Sequence, residues 1–162
     1  MATFSDSYVD IAYTRPLRVM VQQFDGSLRD LTSNETEHDH VVRITASDLR
    51  DAGRRTATLH AEGAARGEDL TVVVDLEVMI DLDVREARNM LPDLDTPGIP
   101  NSLRYVGTSI GLASLIADIH ALRLTDGVTL LPMTKRVLGL ILSEALPVLE
   151  TMDFEGLTGK LI

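Results

Sequence analysis

Eleven consecutive residues constrain this chain more than any other stretch. Leu70–Ile80 reads LTVVVDLEVMI. On an extended backbone Val72, Val74, Leu76, Val78 and Ile80 share one face, and Thr71, Val73, Asp75, Glu77 and Met79 share the other. The run is too rich in β-branched residues for a helix and is bounded by RGED before it and a helical pattern after it. It therefore predicts a strand flanked by helices.

The same alternation extends along the chain. Leu17–Gln23 (LRVMVQQ) reads as a strand that ends in the turn signal FDGS. Residues 28–39, polar and acidic, read mostly as loop. His40–Thr45 (HVVRIT) is a second strand. A helix is expected from about Ala46 to Ala65, with Leu49, Ala52, Thr56, Leu59 and Gly63 on one face and Asp48 near its start. Asp83–Leu91 reads as a short helix, and residues 92–101, with three of the six prolines, as a surface loop. Thr108 or Ser109 caps a further helix with an apolar stripe of Leu112, Leu115, Ile116, Ile119 and Leu122. DGVTLLP (Asp126–Pro132) is a buried strand, and Lys135–Leu149 is a closing helix whose dense apolar pattern implies deep burial. Strands alternating with helices mean a parallel sheet with right-handed crossovers and helices on its outer face.

Composition narrows the function. A length of 162 residues suits one domain with a substantial core. The net charge of −10 and an aromatic content of 4% argue against a nucleic-acid surface, which needs a basic footprint and stacking platforms. The same charge disfavours anionic membranes. The chain has no Cys, so disulfides, thiolate metal sites and thiol nucleophiles are excluded. No apolar run approaches the roughly 18 residues that span a bilayer. The start MATFSDSYVD lacks a basic region followed by an apolar run, so a cytoplasmic location is the expectation. No G-x-S-x-G, Walker or dinucleotide fingerprint occurs.

The segment YVGTSIGLASLIADIHALRLTDGVTLLPM resembles the C-terminal unit of luciferase-like flavin-dependent monooxygenases. That unit carries GTP-x-x-x-A-x-x-L, then DGF-x-L-x-P, then a closing helix. The matching residues are Gly107, Thr108, Ala113, Ile116, Asp126, Gly127, Leu130, Pro132 and the closing ALPVL. Upstream, AARGEDLTVVVDLEVMI, PLRVMVQQFDGS and HDHVVRIT resemble earlier strands of the same family. The resemblance spans residues 15–150, between an N-terminal arm (1–14) and a C-terminal tail (151–162). It implies an α/β fold, a parallel (β/α) partial TIM-barrel-like sheet of about four strands, equivalent to the last four of a barrel of about 250 residues. It implies reduced FMN or the deazaflavin F420 as cofactor, in an oxidoreductase that is a truncated form or a subunit. The alternative is a degenerate half-barrel without flavin, a dimeric structural or binding module. Because half a barrel leaves an open face and open edges, a homodimer is expected, the alternatives being a separate chain supplying the missing half or the N-terminal arm covering the open face.

Candidate site residues follow. The resemblance places the flavin phosphate at the loop containing Gln23, Gly26 and Ser27, although Asp25 would repel it; a plain turn also explains these residues. Asp75 and Glu77 share the strand face that lines a barrel interior, where paired carboxylates can do acid/base work. His38 and His40 are two apart, but no third ligand stands at a diagnostic spacing, so no metal site is expected. Thr108 and Ser109 could hold an anion, but capping accounts for them. His60 and His120 read as lying at the solvent edges of their helices.

Overall fold

The computed structural model describes residues 15–32, 40–91 and 102–152. The arm, the loop at 92–101, His38 and nearly all of the tail lie outside those residues. The strands are β1 (Arg18–Gln22), β2 (Leu28–Asp30), β3 (His40–Ile44), β4 (Leu70–Ile80), β5 (Leu103–Gly107) and β6 (Gly127–Pro132). The helices are α1 (Leu49–Ala65), α2 (Val84–Met90), α3 (Ser109–Ala121), α4 (Lys135–Leu140) and α5 (Leu146–Thr151), the last two joined by a π-helical turn at Ile141–Ala145. No helix among the described residues is long and apolar enough to cross a membrane.

The architecture is α/β, with a curled, mostly parallel half-barrel sheet and helices. The strand order is β2-β1-β6-β4-β3, with β5 also paired to β4. The eleven residues of β4 make it the spine. Its first half pairs with β3 and its second half with β5, while β6 runs along its other edge. β2 is the antiparallel exception, a short return strand on β1.

Alternation in β4 decides where the core lies. Val74, Leu76, Val78 and Ile80 join Leu17, Val19 and Val21 from the β1 segment and Val128 and Leu130 from β6. Ala52, Leu112, Ile116, Ile119, Val137, Ile141 and Leu149 of the helices cover that face. Burying a side chain of this size contributes about 1.5–3 kcal/mol. The opposite face carries Asp75, Glu77 and Thr129.

Several local expectations are corrected. Helix α1 starts at Leu49, because the Asp48 carboxylate accepts the Asp51 N–H and caps it. Of Thr108 and Ser109, Thr108 caps α3. Leu122 is 69% exposed, since it sits past the last turn of α3 rather than in its apolar stripe. Residues 28–30 form β2 rather than loop, and LRYVG forms β5, a strand hidden in the sequence by the helix signal that follows it.

The order of strands carries information that periodicity does not. Four consecutive barrel strands would lie side by side in chain order. Here β6 lies between β1 and β4, with Arg18 opposite Gly127 and Val73 opposite Gly127 on the other side. A sequential barrel closes by pairing its first strand with its last. The β1–β6 pairing has that form, so the gap in the wall falls between β1 and β3.

Candidate functional site

The face of the sheet opposite the helices is the polar one. Register puts Met20, Thr129 and Asp75 in one row across β1, β6 and β4, and puts Glu77 beside Arg104 in the next. Sequence alternation placed Asp75 and Glu77 on this face; their partners are visible only in the fold. Arg43 of β3 donates to Asp75 side-on, Nε to Oδ1 and Nη2 to Oδ2, both at 3.0 Å. The same Nη2 reaches the Gln22 amide oxygen at 3.4 Å. Arg104 of β5 lies 3.4 Å from Glu77 Oε2. Arg18 and Asp30 form a third pair at 3.4 Å. In both central pairs the carboxylate is the buried partner and the guanidinium the more exposed one. The two-point Arg43–Asp75 pair fixes orientation, whereas Arg104 reaches both Glu77 oxygens through one nitrogen, Nη2. Asp75 and Glu77 therefore each face a guanidinium from the neighbouring strand. Thr129 adds a fully buried hydroxyl with no hydrogen-bond partner among the described residues.

At the carboxyl ends of β1 and β6 lies a pocket of about 180 Å³ lined by Gln22, Gln23, Phe24, Gly26, Leu131 and Pro132. It is smaller than the roughly 300 Å³ at which cofactor-sized sites begin. Next to it is the turn named for the flavin phosphate. The structure brings Gln23, Gly26 and Ser27 together, but with one another. Gly26 N–H donates to the Gln23 carbonyl at 2.9 Å, and Gln23 N–H to the Ser27 carbonyl at 2.8 Å. Gln23 Nε2 donates to Ser27 Oγ at 3.0 Å. Ser27 spends its backbone N–H and its hydroxyl on Asp25 Oδ1, at 2.9 and 2.6 Å. Those two bonds, the hydroxyl first, hold the Asp25 carboxyl below its ordinary value. The carboxylate thus occupies the place an anion would take, and a strand rather than a helix follows. These residues, so arranged, do not fit a flavin phosphate.

A second cluster stands at the opposite, amino ends of the strands, where sequence reasoning put only solvent-edge histidines. Asp126 is 5% exposed. Its Oδ2 accepts the Val72 N–H at 2.8 Å and lies 2.7 Å from His60 Nε2. Arg15 stands 3.7 Å from its other oxygen and binds the Leu70 carbonyl and Asp69. His120 is buried, its Nε2 2.6 Å from the Arg15 carbonyl. The DG of DGVTLLP was the signal that could have found this cluster, because a carboxylate at a strand start can bind the neighbouring strand. Ser109, read as a cap, instead donates to Glu144 at 3.1 Å. No group of three or more metal-ligating side chains occurs among the described residues.

No protein-family model matches the chain, and no curated protein does. Solved structures do. One is the EDTA monooxygenase from Chelativorans sp. BNC1, similar with a TM-score of 0.60 at 14% identity, over 69% of this chain. The match covers 39% of that protein, so the chain spans well under half the length of its structural neighbour. At this identity the likeness is one of fold.

Proposed function

We propose that the chain is a luciferase-like flavin-dependent oxidoreductase component, one wall of an assembled barrel, with no flavin-phosphate site in its own turn. The observation that carries the reading is the fold overlap with a monooxygenase over 69% of the chain, alongside the sequence resemblance to the luciferase-like family. The closing β1–β6 pairing supports it, because the polar face then corresponds to a barrel interior. On that face Arg43–Asp75 and Arg104–Glu77 act as fixed charges that orient what lies against them.

A second reading is a non-catalytic half-barrel module. Two observations favour it. Asp25 fills the anion position of the turn, and β2 covers the edge of β1 on which further barrel strands would build.

One calorimetric experiment separates the readings. The purified chain is titrated with FMN and separately with the deazaflavin, alongside a Ser27→Ala variant. The first reading expects micromolar binding that Ser27→Ala leaves unchanged, the flavin resting on the polar face. Silence up to millimolar flavin overturns it in favour of the second.

A further inference from the structure

The two outer edges of the sheet end differently. At β1 the edge is closed. β2 pairs along it, Val19 N–H donates to Thr32 Oγ1 at 3.0 Å, and Leu31 N–H donates to the Val19 carbonyl at 2.8 Å. At the other end β3 pairs only with β4 among the described residues. Unpaired edges are templates for further strands.

Beside the β3 edge, on the helix side, lies a cleft of about 470 Å³. Val42, Ile44 and Leu59 give it an apolar floor, and all three are half-buried. Helix α1 forms its wall. Residues 51, 55, 58 and 62 of α1 follow the i, i+4, i+7, i+11 spacing, so Glu62 continues the stripe that Asp51, Arg55 and Thr58 present to the cleft.

The charges along that stripe are ordered. Arg54 and Arg55 stand at its amino-terminal half, with side chains 74% and 55% exposed; Asp51 pairs with both and balances one of the two. Thr58 and Ala61 are exposed and small at the middle. Glu62 is exposed toward the far end. Such a stripe matches its own copy only when the two run antiparallel. A two-fold axis at Thr58 sets Arg54 opposite the Glu62 of a second copy, twice per pair. The same axis runs β3 antiparallel to its copy and fills the open edge.

We propose that the β3 edge and the α1 cleft form an isologous interface with a second copy of this chain. The interface lies away from the polar face but takes the β3 edge on which a barrel would add its next strand, so it goes with the half-barrel module reading of the proposed function.

Sedimentation velocity across micromolar concentrations tests it. The wild-type chain is expected to dimerise. Arg54→Glu together with Arg55→Glu puts like charges opposite one another and weakens the dimer about tenfold or more. Adding Glu62→Arg to that variant restores opposite charges and recovers the dimer. All the substituted positions are exposed, and circular dichroism checks that each variant is folded. A chain that stays monomeric at a hundred micromolar, as one awaiting a different companion would, overturns the proposal. So does a dimer that the double reversal leaves untouched, or a loss that the third substitution does not rescue.

Discussion

Gly127 shows what a single residue decides. A Cβ there would collide with the backbone carbonyl of Arg18 on the neighbouring strand. Backbone cannot rotate aside as a side chain does. Gly127→Ala is expected to destabilise the fold by about 3 kcal/mol, read as a lowered urea midpoint with an unchanged slope. The sequence placed this glycine near the start of the buried DGVTLLP strand, but the close approach depends on which strand lies beside it. The same limit applied to the candidate site. Period-two alternation was enough to put Asp75 and Glu77 on one face. It could not name Arg43 and Arg104, which reach them from strands 32 and 27 residues away. Asp25 was suspect from its charge alone; that it captures both donors of Ser27 emerged only from the geometry of the turn.

At the scale of elements, long patterns were legible and short ones were not. β4 and α1 appear close to the expected bounds, because eleven or more residues leave little freedom. β2 and β5, of three and five residues, are defined by pairing with β1 and β4 rather than by their own sequence. The closing helix hides another departure. Its buried residues Val137, Ile141, Ala145 and Leu149 recur every four positions, and an α-helix would rotate them off one face. The π turn at Ile141–Ala145 widens the coil and keeps them aligned, just before Pro147, which has no N–H to give. Elements are also locked to one another from below the sheet. Asp126 joins α1 through His60 to β4 through Val72. Asp126→Ala is expected to cost about 3 kcal/mol, measured by thermal or urea unfolding, because a buried backbone donor loses its acceptor and a histidine its partner.

Across the whole molecule, β4 is tied to the closing helix at the carboxyl end of the sheet. Arg136 Nη2 donates to Asp81 Oδ1 at 2.9 Å, and Leu82 N–H donates to the same oxygen at 2.7 Å. The Arg136 bond first, then Leu82, holds the Asp81 carboxyl below its ordinary value of 3.8. A depressed carboxyl contributes stability above its unfolded value and loses it as pH falls through the folded one. The gap in stability between the wild type and Arg136→Gln should therefore be flat above about pH 4 and shrink below it, as urea unfolding across the acid range would show. A gap that grows on acidification would contradict the assignment. The fold class was legible in the sequence because strand–helix alternation is a local signal. The insertion of β6 between β1 and β4 was not, because the pairing of distant strands leaves no local trace.

That insertion also sets the order in which the molecule can be made. β1 leaves the ribosome before the other described strands, yet its parallel partner β6 is the last of them to follow. Until then β1 has only its short hairpin with β2, and a lone hairpin is marginal in water. Meanwhile β3, α1 and β4 can collapse as a local unit. Folding should finish by sealing β1 against β6, a late event of long sequence separation and hence a slow one. A nascent chain halted before Asp126 would hold three of the five described α-helices and much of the described sheet, with only β2 for β1 to pair with.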